Sequence, residues 1–556
     1  MKKQRILSLL LSALMLLSLF PGTAGLAEVL NDPDFDLTGG LPILKDPSKM
    51  PEISILFREF PESRTPISET VQVKRYTEET GLTFKWESVP SEGYEEKLNL
   101  MLSSYDLPDV IWTPMNDNTV VQYMGQDVLL PTNELIDKYV PNLKKIFDEN
   151  PEFKATVTAP DGNIYGFPYI VQMRGLILSP GPILINKVWL DKVGLPVPTT
   201  VDEYHAALKA FKEYGDLNGN GIDDEFAYAG SFALPGGFGS DKSFNQLTGC
   251  FGQANAASGD MRDNLGVVDG KVIYSAADPA YKETAKFFRT MQEEGLIDPD
   301  SFANDAKVWQ DKLRQDIALI GSFSVWSPEG SIPDPAVRKE YVVLPRLTGP
   351  NGKSGFALNA TEVQNKCHLA ITTACENPEL FAAFVNYLYS PEVSVTSIWG
   401  AEGEGWMYHK DENGMLCFNV DENNDIILTE GMESFWTIRC NSGPVEGGAV
   451  LNKYYDTVCE YAWDAVTLRA GQEAAGSNEI LEEYEIIPPT YLEPEISSRA
   501  VQLSTELNNV VNSYTMQWVL DGNIDETWDQ YLEDLKNTGV DEFVALFQGV
   551  YDSVNK

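Results

Sequence analysis

EISILFREFPESRTPISETVQVKRYTEETGLTFKWESVPSEGYEEKLNLMLSSYDLPDVIW, residues 52–112, carries the architecture in outline. Glu52–Phe57 alternates apolar and polar residues, as a strand does. Val71–Thr80 has helical spacing and runs into Gly81, a residue suited to the left-handed turn that stops a helix. Leu82–Val89 reads as a second strand. Tyr94–Ser103 places Leu98, Met101 and Leu102 on one helical face, and Asp109–Trp112 is a short apolar strand. Strand, helix, strand, helix, strand in this order predicts a parallel α/β layer.

The same alternation returns downstream. Ile183–Asn186 reads as a strand. Thr200 precedes a helix over Val201–Tyr214, with Asp202 and Glu203 in the first turn where the helix dipole favours anions. A helix over Tyr281–Gly295 and strands at Asp316–Gly321, Tyr341–Leu344 and His368–Thr372 follow, then a helix over Pro378–Tyr389. Ser497–Lys556 reads as mostly helical, with Trp518, Trp528 and Tyr531 as aromatic anchors. Residues 28–50, rich in Pro, Gly and Asp, read as a linker. No internal repeat and no low-complexity tract interrupts the pattern.

The 556 residues exceed what one core usually serves, so more than one domain is expected. At 43% hydrophobic and 22% charged, wholesale disorder is excluded. The formal charge of -42 repels phosphate backbones and anionic lipid heads, which argues against nucleic acid and membrane surfaces as partners. Lys2, Lys3 and Arg5 precede the apolar run Ile6–Phe20, and Gly25 and Ala27 have a signal peptidase's spacing. Export with cleavage after Ala27 is expected. The first cysteine is Cys250, so no lipobox Cys is written near the cleavage site. Cys250, Cys367, Cys375, Cys417, Cys440 and Cys459 include no C-x-x-C pair. Disulfides are permitted in an exported protein, and single buried thiols are the other reading.

Six segments carry a resemblance: YTEETGLTFKW (76–86), EKLNLMLSSYDLPDVIW (96–112), APDGNIYGFPY (159–169), LINKVWLDKVGLPVPTTVDEY (184–204), DLNGNGIDDE (216–225) and WGAEGEGW (399–406). In this order they resemble the extracellular solute-binding proteins of family 1, the receptors of ABC sugar importers. Within that family the chain resembles the large, calcium-loop-bearing branch of alginate-oligosaccharide receptors and LipO-like proteins. The resemblance implies a two-lobed periplasmic-binding-protein-like α/β fold, with a ligand cleft between the lobes and a helical C-terminal extension. It implies a first lobe of about residues 51–165 plus 357–400, and a second of about 166–356 plus 401–556 with the tail. By analogy the chain crosses near Tyr165–Tyr169, Gly355–Leu358 and Gly400–Trp406.

DLNGNGIDDE is the sharpest local signal. Asp216, Asn218 and Asn220 alternate like the first three ligand positions of a calcium loop. Gly221 permits the sharp turn, Ile222 can offer only its carbonyl, and Asp224 and Glu225 close the set. The closing acid comes earlier than in an EF-hand and matches the shorter loop of the resembled branch. One structural Ca2+ is expected; the alternative is a turn-rich loop that binds nothing.

Ligands of open α/β sheets sit beyond the carboxyl ends of strands. That rule picks Arg58 and Glu59 after the first strand, Trp112 after the third and Trp326 after the strand near Gly321. Trp399, Glu404 and Trp406 stand at the third proposed crossing. Aromatic faces with neighbouring carboxylates suit the C–H faces and hydroxyls of a sugar. Each indole has a core alternative, and Trp189, beside Leu190 in a helix, reads as core.

Enzyme motifs are missing from the sequence. His205, His368 and His409 form no H-E-x-x-H, and there is no G-x-S-x-G. GKS at 352–354 lacks the upstream Gly of a phosphate-binding loop, since that position is Leu347. A glycosidase needs only two suitably spaced carboxylates, and nothing singles out such a pair. The expected function is therefore not enzymatic. It is capture of a carbohydrate, an oligosaccharide above a monosaccharide, with delivery to ABC permease subunits by a monomeric receptor. The other readings are a sensor subunit that presents ligand to a kinase, and a glycan-acting enzyme.

Overall fold

The computed structural model describes residues 33–554 except 173–182, 233–243, 253–261, 304, 326–327, 355–361, 401–407, 421–426, 428–434, 445–446 and 460–486. The first predicted helix forms over Val71–Thr80 and stops at Gly81, whose φ of 75° suits a residue without Cβ. A Cβ there would also lie 2.8 Å from the Leu44 carbonyl oxygen. The strands are, in chain order, β1 (Ser54–Glu59), β2 (Lys85–Pro90), β3 (Val110–Trp112), β4 (Phe167–Val171), β5 (Ile183–Asn186), β6 (Phe226–Tyr228), β7 (Leu265–Val268), β8 (Lys271–Tyr274), β9 (Ile320–Ser324), β10 (Tyr341–Val343), β11 (Val363–Ile371), β12 (Tyr408–Lys410), β13 (Leu416–Phe418) and β14 (Ala449–Val450).

The first sheet has the order β14-β4-β11-β3-β1-β2. β1 pairs in parallel with β2 and β3, as the sequence predicts. β11 then inverts, running antiparallel to both β3 and β4. Both faces are covered. Ile55, Phe57, Val110 and Trp112 join one core with Val73 and Tyr76 of the first helix and with the helix Pro378–Leu388. Leu56 and Ile111 join a smaller cluster on the other face with Tyr94, Leu98 and Leu102 of the helix Ser91–Ser104. Burial of both faces accounts for the continuously apolar centre of β1.

The second sheet, β10-β5-β9-β6, has its own core. The helix Val201–Tyr214 packs on it through Tyr204, Leu208 and Phe211. The approach is close at Gly321 in β9, where a Cβ would meet Phe211 at 2.7 Å and the Ala227 carbonyl oxygen at 2.9 Å. We expect Gly321→Ala to cost about 1–3 kcal/mol by overpacking; a urea midpoint equal to wild type would refute this contact. The tail forms three helices, Pro494–Asp521, Ile524–Thr538 and Val540–Val554, joined through the predicted anchors. Trp518 lies 5.4 Å from Trp528 and 4.8 Å from Tyr531, ring centre to ring centre.

The strands correct the expected boundaries. β4 lies in the first sheet, so the first crossing follows Gln172 and does not fall at Tyr165–Tyr169. The second expected crossing, Gly355–Leu358, lies outside the described residues, between β10 of the second sheet and β11 of the first. The third is not at Gly400–Trp406. Leu416, Phe418, Tyr454 and Cys459 all belong to the first core, and β14 pairs with β4, so the chain leaves only after Cys459. The return is tied to both units. Tyr491 packs on the first sheet's second face, whereas Ile487 and Leu492 enter the second core. Ser497, in the first turns of the long tail helix, donates to Asn118 Oδ1 at 2.6 Å. All six cysteines are free thiols.

Candidate functional site

The carboxyl edge of the first sheet is built by register. Phe57, Trp112 and Leu369 are aligned across β1, β3 and β11 and face the larger core. One residue further along the row lie Arg58, Thr113 and His368. The Arg58 amide donates to Thr113 Oγ1 at 3.1 Å. The Arg58 guanidinium lies over the Phe60 ring at 5.3 Å. Its Nε is buried and has no hydrogen-bond partner among the described residues. His368 is 3% exposed, its ring 5.7 Å from Tyr169, and its Nδ1 is likewise buried and unpartnered. Burial, helped by the Arg58 charge, lowers the imidazole pKa to about 3, so the ring is neutral at physiological pH. Glu59 gives its carbonyl to the Ser91 hydroxyl at 2.6 Å, which ties this edge to the helix behind it.

The indoles picked from the sequence divide. Trp112 is 1% exposed and packs against Trp86 at 5.7 Å and Phe384 at 6.2 Å. Trp399, also fully buried, meets Phe418 edge-on at 6.3 Å. Neither presents a face on which a sugar could stack, and both take the core alternative. Trp189 is core, as read. Trp326, Glu404 and Trp406 lie outside the described residues. Sequence reasoning missed His368, because one histidine at the head of an apolar strand reads as filler. It also missed the carboxyl end of β6. There Trp309 Nε1 donates to Ser231 at 3.1 Å, and Phe232 stacks on Phe302 at 5.0 Å.

Residues 216–225 form a tight loop at the opposite, amino end of β6. Asp216 accepts from the amides of Gly219 at 2.8 Å and Gly221 at 3.0 Å. Asn218 Oδ1 accepts from the Asn220 amide at 2.9 Å, and Asn220 Oδ1 from the Ile222 amide at 2.7 Å. Glu225 accepts from the Asn218 amide at 2.7 Å, and both Asn218 and Asn220 point an amide nitrogen at Asp224. Gly219 and Gly221 have φ of 83° and 88°, which the turn requires. Ile222 is 60% exposed, so an apolar side chain stands in solvent where the loop has use only for its backbone. Side chains from five positions are thus tied to the loop's own backbone and to one another by hydrogen bonds. Among the described residues no three His, Cys, Asp or Glu side chains come together as a metal site, although the loop carries three carboxylates, Asp216, Asp224 and Glu225. The donor set is hard oxygen throughout, which fits calcium chemistry.

The model of the bacterial extracellular solute-binding proteins matches residues 63–395. The chain belongs to that family. This solute-binding protein is 31% identical over 544 residues to the fructooligosaccharide ABC transporter substrate-binding protein FusA of Streptococcus pneumoniae, covering 95% of this chain and 94% of FusA. It is 24% identical over 506 residues to lipoprotein LipO of Bacillus subtilis, covering 89% and 90%. A structure of a FusA EF-hand mutant with fructo-nystose covers 91% of this chain and 100% of its own, at 29% identity and a TM-score of 0.74. Alginate-binding protein AlgQ2 without calcium ion shares the fold, at 21% identity, a TM-score of 0.66, and coverage of 91% and 99%. The solute-binding protein therefore has the periplasmic-binding-protein-like α/β fold that its sequence implied. Its six-stranded and four-stranded sheets pack in separate hydrophobic cores.

Proposed function

We propose that this protein is the receptor of an ABC importer, capturing a neutral oligosaccharide between its lobes and presenting it to permease subunits. The observation that carries the reading is the 31% identity to FusA over 95% of the chain. The polar row at Arg58 and His368 supports it, since it lies at the carboxyl ends of parallel strands where α/β sheets take ligands. Glu59, Trp326, Glu404 and Trp406 are the other candidates for ligand contact. The charge of -42 disfavours polyanionic glycans. Ligand contacts to both lobes shift the population toward the closed form, which the permease reads. We assign the protein no catalytic step. It acts as an exported monomer, and among the described residues no helix is long and apolar enough to cross a membrane. Calorimetric titration with kestose, nystose and other neutral oligosaccharides tests the reading. One-to-one saturable binding without cleavage is expected. No binding across the panel, or release of shorter glycans, would overturn it.

Asp216, Asn218, Asn220, Asp224, Glu225 and the Ile222 carbonyl are proposed to hold one Ca2+. The ion would neutralise clustered carboxylates and fix the loop between the helix Val201–Tyr214 and β6. At about a hundred times its dissociation constant, a ligand of the native state adds roughly 2.7 kcal/mol. A chelator should therefore lower the melting temperature. Calcium should restore it better than magnesium, which demands a stricter octahedron. Asp216→Ala should abolish the response to chelator while leaving saccharide affinity near wild type, because the loop lies at the far end of β6. A melt indifferent to chelator would remove the assignment.

A further inference from the structure

We propose that Arg58 Nε and His368 Nδ1 grip one hydroxyl group of the bound saccharide, forming the polar floor of the first lobe's half of the site. The inference rests on the carbohydrate reading above and deepens it to named atoms. Buried polar groups in folded proteins almost always find partners, so an orphan calls for an explanation. Here two orphans stand in one row, on β1 and β11, with Thr113 between them. Both belong to the edge where strands β1 and β3 end.

The chemistry of the pair selects the occupant. Arg58 Nε–H can only donate. The imidazole is neutral, with its pKa held down to about 3 by burial and by Arg58, and we take the tautomer with the proton on Nε2, in which the orphan Nδ1 accepts. An oxygen that accepts from Arg58 and donates to His368 satisfies both atoms at once. A hydroxyl does this. A carboxylate cannot donate, and an ammonium cannot accept. A buried site that matches a hydroxyl in this way discriminates strongly against analogues lacking it, because the loss strands two polar groups instead of one. The hydroxyl could belong to the sugar or to a water retained under it, and the test separates these sources.

Kestose, or whichever neutral oligosaccharide of the panel binds, is titrated into wild type, His368→Phe, His368→Gln and Arg58→Met. His368→Phe keeps the ring volume and removes the acceptor. It should weaken binding by about tenfold or more, the cost of roughly one buried hydrogen bond, while the melting temperature without ligand is kept or raised. His368→Gln keeps an acceptor and should recover part of the affinity. A merely structural role would not produce that rescue. Arg58→Met should lose a similar factor. Wild-type affinity should be flat from pH 8 to pH 5. A crystal structure of the complex with a sugar oxygen in hydrogen-bond range of both atoms supports the inference, and a water in that place overturns it. Unchanged affinity in both His368→Phe and Arg58→Met overturns it while leaving the carbohydrate reading standing. Wild type that binds no member of the panel overturns both. Should His368→Phe fail to fold, Arg58→Met and His368→Gln carry the same decision.

Discussion

Trp112→Ala should cost about 3–5 kcal/mol, the usual price of emptying a buried aromatic site. The indole is fully enclosed between Trp86 and Phe384, in the strand that holds β1 to β11. Its removal opens a cavity between the sheet and the helix Pro378–Leu388, whose Phe384 packs on the indole. Urea unfolding followed by circular dichroism should show a clearly lower midpoint. Saccharide affinity, measured where the variant is still folded, should stay within about threefold of wild type. A variant with a wild-type midpoint and weakened binding would return Trp112 to the ligand site, where its position after a strand first placed it.

Acid should destabilise the protein well before ordinary carboxylates titrate. The unfolded His368 side chain takes up a proton near pH 6.5, whereas the folded one does so only near 3. Between those values the unfolded state binds more protons, so stability rises with pH there and falls as pH falls. The slope is about 1.4 kcal/mol per pH unit, or roughly 2 kcal/mol between pH 6.5 and pH 5. Other groups differ in window or sign. Glu203, whose pKa is lowered by the Thr199 amide and hydroxyl, acts at lower pH. Glu362, whose pKa is raised by burial, works in the opposite sense, its folded form gaining relative stability as it protonates. The clean quantity is therefore the difference between wild type and His368→Phe. Urea midpoints at pH 7 and pH 5 should converge for the variant and separate for wild type. Equal slopes in both proteins would show that His368 is not the group responsible.

Much of the fold was legible because local pattern and packing agree. Ile183–Asn186 and Val201–Tyr214 form with the bounds read from sequence, the helix behind a Thr200 cap whose hydroxyl accepts from Glu203. β11 was only half seen. Gln364, Asn365 and Lys366 are polar enough to hide a strand, and a register irregularity lies between Asn365 and Leu369. β4 and β14 escaped because a crossing was expected before the first and no strand was sought near the second. The site was less legible than the fold. Position after a strand marks a residue as near the edge, but it does not say which way the side chain turns. Arg58 and Trp112 lie one step apart in the row and end on opposite faces. The loop at 216–225 was readable because its ligand-type residues are contiguous, so no tertiary knowledge was needed to bring them together.

The order of strands along the chain has a consequence for biogenesis. The first sheet needs Ser54 at one end of the sequence and Val450 at the other. The second core draws on residues from Ile183 to Phe547. Neither half can finish until nearly the whole polypeptide has emerged. During synthesis β1, β2 and β3 have to wait for β11, while β3 offers an open edge and an uncovered apolar face. Vectorial folding from the N-terminus is thus unavailable to this topology, and truncations that trim the distal segments should injure the first sheet, whose strands begin at Ser54. A chain so built profits from staying extended until synthesis is nearly complete, when both halves can condense together.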